Sequence, residues 1–179
     1  RFRLPASMNQ VEYFGRGPAE NYLDRNAGSM VGLYKSTAEE LYFPYVRPQE
    51  NGHHTDTRWV SLSTGKKGLL IQADNTIGFN ALRNSIEDFD DEEATGLSRQ
   101  WSNFTPEQVA NHDEAAAKNV LRRQHHINNI TPRDFVEVCV DLKQQGVAGY
   151  DSWGSRPEPA YTLPANREYN WGFTLIPLK

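Results

Sequence analysis

Phe135-Val136-Glu137-Val138-Cys139-Val140-Asp141-Leu142 alternates with a period of two. Val136, Val138, Val140 and Leu142 fall on one face, and Glu137 and Asp141 on the other. Successive side chains of a strand point to opposite sides, so this is the pattern of a half-buried β-strand. Working outward, shorter runs repeat the signal. Val11-Glu12-Tyr13-Phe14 and Arg58-Trp59-Val60-Ser61-Leu62 are two of them. Gly68-Leu69-Leu70-Ile71-Gln72-Ala73, Gly78-Phe79-Asn80-Ala81-Leu82 and Trp171-Gly172-Phe173-Thr174-Leu175-Ile176 are three more. Thr64-Gly65-Lys66 is a turn signal between two of the runs. Many short strands joined by polar turns predict a mostly β chain, an antiparallel sandwich or barrel.

One helix is predicted against this background. In Thr105-Pro106-Glu107-Gln108, Thr105 suits an N-cap, Pro106 the first helical position and Gln108 the third. The stretch to about residue 118 holds Ala115-Ala116-Ala117 and no glycine, which suits a short helix. Residues 87–93 hold six acids around Phe89; their spacing matches no EF-hand loop, and the run reads as a solvated loop.

Composition narrows the function classes. The 179 residues suit one domain, 1–179. A net charge of −4 argues against a nucleic-acid partner, which wants a basic surface. A single cysteine, Cys139, excludes an internal disulfide and a cysteine-based zinc site. No apolar run approaches the length of a membrane span. The chain opens on Arg1, so it is expected to begin inside a longer polypeptide or after processing.

Three blocks carry the polar chemistry. The first is Gly15-Arg16-Gly17-Pro18-Ala19-Glu20-Asn21, followed by Tyr22, Asp24 and Arg25. It is no phosphate loop, because the glycine spacing is wrong and Pro18 lacks an N–H. Its glycines permit unusual backbone angles, while Glu20 and Arg25 can tie the loop by hydrogen bonds and ion pairs. The second block is Pro44-Tyr45-Val46-Arg47-Pro48-Gln49-Glu50-Asn51-Gly52, a stiffened loop with a tight turn and positive φ expected at Gly52. Arg47, Gln49, Glu50 and Asn51 either hydrogen-bond sugar hydroxyls or brace the loop. The third is Asp151-Ser152-Trp153-Gly154. A tryptophan among small and polar residues offers a flat apolar platform for the C–H face of a sugar; the competing reading is a plug for the end of the sandwich. Trp59, Trp101 and Trp171 lack that context and read as packing residues.

The histidines fall as His53-His54, His112 and His125-His126. Adjacent residues of a strand face opposite ways, so neither pair chelates a metal by itself, and all five read as solvent or loop residues. No glycine elbow or Ser-His-Asp spacing points to a nucleophilic hydrolase.

In this order the three blocks resemble the C-terminal domain, the small-chain β-sandwich, of the bacterial β-galactosidases of glycoside hydrolase family 2. The likeness is dense up to Gly52, departs over residues 85–100, which read as an insertion, and returns from Phe135 to Trp153. It implies an antiparallel β-supersandwich of the galactose mutarotase-like kind, of which this chain is the C-terminal portion; the missing first strands would leave an open edge or an exposed apolar face. It implies a retaining glycosidase parent acting on terminal β-D-galactosides, whose two catalytic glutamates lie on a barrel upstream, together with Mg and Na. No catalytic residue, metal or cofactor is then expected in this chain. The expected substrate-binding residues are Trp153, Asp151, Asn51, Glu50 and Arg47. The partners implied are the upstream domains, a β-galactoside or galactose, and further copies of a homo-oligomeric parent in a bacterial cytoplasm or periplasm. Two rivals stand beside this: a free-standing carbohydrate-binding β-sandwich, and a mutarotase-like epimerase needing His53 or His125 with Glu50 in one cleft.

Overall fold

In the computed structural model, the residues described are 1–46, 48–89, 127, 130–151 and 154–179. They divide into two compact units. The first comprises Arg1–Phe43, Asn51–Arg83 and Arg133–Lys179; the second comprises Pro44–Glu50 and Asn84–Pro132.

The first unit is built on antiparallel strands: β1 Phe2–Pro5, β2 Gln10–Gly17, β3 Met30–Thr37, β4 His54–Ser63, β5 Gly68–Leu82, β6 Phe135–Asp141 and β7 Phe173–Leu178. They form one sheet in the order β1-β6-β5-β4-β2-β3, with β7 also on β5. The mostly β expectation is therefore met. Two of the expected runs, Gly68 to Ala73 and Gly78 to Leu82, merge into the single fifteen-residue β5. Its first half pairs with β7 (Ile71 opposite Leu175) and its second half with β6 (Phe79 opposite Val140). Trp171 and Gly172 precede β7 rather than start it. The helix expected over 105–118 lies outside the described residues. Among the described residues the helical ones are all 3-10: Ile86–Asp88, Pro159–Tyr161 and Ile127.

Alternation decides which face is buried. Val11 and Tyr13 of β2 sit opposite Leu62 and Val60 of β4, which sit opposite Leu69 and Ile71 of β5. Val11, Tyr13, Val60, Leu62 and Ile71 are all buried. Each such aliphatic side chain contributes about 1.5–3 kcal/mol of transfer free energy. Register shifts along β4, one on each side of Thr57, bend the sheet. Asp56, at φ 51°, sits at this irregularity in the left-handed region. The bend brings the Tyr13 ring to 5.1 Å from that of Phe79, although β4 runs between their strands.

The other face is less covered. Phe14, Leu33 and Trp59 line up across it, and Leu33 is 60% exposed. β3 ends the sheet order and also shows Met30 and Val31 to solvent. Trp171, taken from sequence as a packing residue, is 46% exposed and touches Phe173, ring centroids 5.6 Å apart. The indole therefore packs on a neighbour in sequence and leaves its other side open, just ahead of Gly172, whose carbonyl accepts the Asp74 N–H at 3.0 Å.

In the second unit, Asp88 is the second acid of the run, after the exposed Glu87. It is not solvated: its carboxylate accepts the Ser85 N–H at 3.0 Å. Asn84 donates to the Thr131 carbonyl at 2.9 Å. The rest of the acidic run, residues 90–93, lies outside the described residues.

Candidate functional site

The first block starts as a strand and leaves it as a loop. Gly15, Arg16 and Gly17 finish β2, and the Gly17–Pro18 peptide is cis. A Cβ on Gly15 would run into Thr57, its backbone Cα included at 2.9 Å. Arg16 holds Asp56, Nε to Oδ2 2.6 Å, and donates to the Ser29 carbonyl at 2.9 Å.

Glu20 and Asn21 then join this block to the start of β4. Glu20 Oε2 accepts the Gly52 N–H at 2.7 Å, and Oε1 pairs with Arg25 Nη2 at 2.5 Å. Gly52 has φ 73°, the positive value expected for that turn. Asn21 is fully buried and uses both ends of its amide. Nδ2 donates to the Arg16 and Ala19 carbonyls, each at 3.1 Å. Oδ1 accepts from Thr55 N and Oγ1, at 2.9 and 2.6 Å. Buried amides satisfied in this way fix a single loop conformation.

Asp24 holds the stretch that precedes the third block in sequence. Its carboxylate accepts the Val147 N–H at 3.0 Å and the Ala148 N–H at 2.8 Å. Further on, Tyr150 N donates to Ser155 Oγ at 3.1 Å and Ser155 N to Asp151 Oδ1 at 3.3 Å. Residues 20–24 thus hold the Gly52 turn, the start of β4 and the backbone of Val147 and Ala148.

The expected sugar-facing residues fall differently. Arg47 and Trp153 lie outside the described residues. Asp151 is exposed and accepts the Ser155 N–H. Asn51 is 1% exposed, and its amide oxygen accepts the Phe43 N–H at 2.9 Å. Glu50 belongs to the second unit and is half-buried.

The histidine expectation is corrected for two of the five. His53 and His54 are both buried. His53 Nδ1 lies 2.9 Å from Asn80 Oδ1, while Asn80 Nδ2 donates to the Asn51 carbonyl at 2.5 Å. The amide is oriented by that second bond, so the histidine donates from Nδ1. Tyr22 stacks on its ring at 5.5 Å. His54 lies between the Gly52 carbonyl, 2.9 Å from Nδ1, and the Pro18 carbonyl, 3.3 Å from Nε2. Burial pushes its pKa down to about 4, against the pull of those carbonyls and of Glu20. The ring is neutral at ordinary pH. No sequence pattern announced either role, because His53 depends on Asn80 of β5 and His54 on the Pro18 carbonyl of a distant loop. His112, His125 and His126 lie outside the described residues.

His53 lines a cavity of about 80 Å³ with Thr55, Asp56, Gly78 and Gln144, and no glutamate stands in its wall. The histidine–glutamate pair an epimerase needs is not assembled there. Cys139 is buried and its thiol is pushed up to about 11, first by burial and then by Asp141 and Glu137. It remains a thiol and is no nucleophile. Among the described residues, no three His, Cys, Asp or Glu side chains converge to hold a metal, and no helix is long and apolar enough to cross a membrane.

The antiparallel strands build the scaffold and the polar chemistry sits in the loops between them, as in mostly β sandwich-type folds. The family model described as beta galactosidase small chain matches residues 1–175, and the chain belongs to that family. A β-galactosidase of Priestia megaterium is 34% identical over 178 residues, 99% of this chain and 14% of the relative. A β-galactosidase of Vibrio cholerae is 29% identical over 96% of the chain, and one from Arthrobacter sp. is 39% identical over 49% of it. The chain therefore spans about one seventh of the length of such relatives.

Proposed function

We propose that this chain is an accessory module of a β-galactosidase polypeptide, a single domain forming the C-terminal portion of its small-chain sandwich. It completes the rim of the active site and shapes the aglycone side, where the leaving group of a terminal β-D-galactoside sits. The chemistry belongs to two glutamates on an upstream barrel: in a retaining glycosidase such a pair stands about 5 Å apart, one as nucleophile and one as acid/base. Mg and Na would bind upstream as well. Trp153, with Asp151, Glu50 and Arg47, supplies the module's share of substrate contacts, while buried Asn51 braces its loop. The parent is a homo-oligomer.

One observation carries this reading. Almost the whole chain matches β-galactosidases, yet it accounts for only 14% of the Priestia relative. The bracing around residues 20–24 supports it, because a rim must hold its shape without help from the ligand. The purified chain is expected not to hydrolyse a chromogenic β-galactoside. Turnover lost on Glu50→Gln would reveal a site within this chain; turnover retained after that change would equally overturn the accessory role.

A free-standing carbohydrate-binding sandwich is favoured by one feature, a groove of about 280 Å³ bordered by Thr162, Arg167, Glu168, Tyr169 and Asn170. Saturable galactose binding by the isolated chain, abolished by Tyr169→Ala, would establish that role.

A further inference from the structure

The face of the sheet turned away from the core carries a groove. Val11, Tyr13, Val60, Leu62 and Ile71 point into the core. Glu12, Trp59, Ser61, Leu70 and Gln72 are one residue out of step with them on the same strands and point the other way. The register lays them out in two rows. Trp59 of β4 stands between Phe14 of β2 and Gln72 of β5, and Ser61 stands between Glu12 and Leu70. With Leu178 of β7, Glu12, Trp59, Ser61, Leu70 and Gln72 line a groove of about 370 Å³. That is the size of a small-molecule site.

Its chemistry is mixed in a particular way. Leu70, Leu178 and the Trp59 ring supply apolar surface. Trp59, read from sequence as a packing residue, is only half-buried, and Gln72 is exposed. Among the described residues, neither the Trp59 indole N–H nor the Gln72 amide meets a hydrogen-bond partner. The Ser61 hydroxyl donates to the Glu12 carbonyl at 3.4 Å, so its oxygen is left to accept. The Glu12 carboxylate meets Lys35 Nζ at 3.4 Å, which balances the one charge in the wall. Phe14, beside Trp59, already has the Arg58 guanidinium over its ring at 5.6 Å. Trp59 is therefore the ring left to a ligand.

A ligand suited to this groove is neutral, lays an apolar surface on an indole, and carries donors and acceptors around its edge. A pyranose ring has these properties, with C–H groups on its faces and hydroxyls at its rim. We propose that the groove is an accessory saccharide site, which takes a neutral pyranoside with its C–H face on Trp59 and its hydroxyls on Gln72, Glu12 and Ser61. It uses none of the residues expected at the substrate rim. The choice of a galactose-based ligand rests on the accessory reading above: the module would hold one part of a saccharide while another is cleaved upstream. A single ring platform gives affinity on the order of millimolar, so a ligand with many copies of the sugar is needed to reveal it.

The test runs the complete polypeptide that carries this chain on native gels cast with and without soluble galactan. The polymer is expected to slow the parent at least about twofold. Trp59→Ala should lose that retardation, with kcat and KM for an aryl β-galactoside within about twofold of the parent. Gln72→Ala shortens an exposed side chain, so it is expected to fold normally and to lose about half of the retardation. Retardation equal to the parent's in both variants would assign the sugar contact to the substrate site and overturn the proposal, as would a parent that galactan does not slow. A smaller assembly on gel filtration for Trp59→Ala, with retardation intact, would make this face a contact between copies and overturn it too. If the parent does not turn over the aryl β-galactoside, it is the accessory reading that fails, and the retardation of the two variants still decides the groove.

Discussion

Glu20 accepts the backbone N–H of Gly52 at 2.7 Å, a bond that ties the first polar block to the last residue of the second. The Glu20 side chain is 3% exposed, so the acceptor is shielded from water, whereas its ionic partner Arg25 is half in solvent. The bond to the amide therefore matters more to stability than the ion pair.

Glu20→Ala is expected to lower unfolding free energy by about 1–3 kcal/mol, since it strands a shielded N–H. Glu20→Gln keeps an acceptor for Gly52 and should lose less. Urea unfolding of the two variants checks the order. Equal losses would mean that the Arg25 pair, not the Gly52 bond, is what Glu20 provides.

His54 should make the fold acid-sensitive. Its pKa is about 4 when folded and 6.5 ordinarily, so the unfolded chain takes up a proton that the folded chain refuses. Stability is fully present above pH 6.5 and is lost as the pH falls toward 4, by on the order of 3 kcal/mol. Chemical unfolding at a series of pH values tests it. The slope between those limits should flatten in His54→Asn; an unchanged slope would assign the acid sensitivity elsewhere.

Gly78 lies against the His53 ring. A Cβ there would collide with Cε1 and come within 2.6 Å of Nε2. Because that ring is also held by Asn80 and Tyr22, Gly78→Ala should cost about 1–3 kcal/mol. A thermal melt within a degree of the parent would show that the ring can move aside.

Asn51→Ala separates bracing from recognition. Its amide oxygen serves the Phe43 N–H, so the substitution should destabilise by about 1–3 kcal/mol. In the complete enzyme, Trp153→Ala should instead weaken substrate or acceptor binding more than about tenfold and leave the melt unchanged. If Asn51→Ala raises KM without touching stability, Asn51 faces the sugar after all.

The strands were legible because alternation is a local property. Val136, Val138 and Val140 announce β6, and all three are buried; Glu137 and Cys139 on the opposite face are buried as well, Glu137 paired with Arg3, so the strand is covered on both faces rather than half-buried. β3 was missed: Met30-Val31-Gly32-Leu33 lies at the end of the sheet, where neither face forces a clean alternation. β1 is too short to show a period. The glycine at 52 declared its turn, since positive φ favours that residue. The site was only half legible. Residue types marked the three loop blocks, but the pairing of Asp24 with Val147 and Ala148, or of Asn21 with Thr55, joins a side chain to a distant backbone. The sequence of a backbone amide carries no such signal. The histidines were misjudged for the same reason.

The length of β5 has a kinetic consequence. Its first half is flanked by β7, so that Gly68 meets Leu178, and its second half by β6, so that Gly78 meets Asp141. One strand thus waits on two partners from much later in the chain, and β1 waits likewise, Phe2 pairing with Val138. Contacts this remote make for slow assembly, because loop closure must precede the reward. Until those partners arrive, Leu69, Leu70 and Ile71 form an apolar strand with an open side, and the nascent sheet is exposed to pairing with the wrong chain.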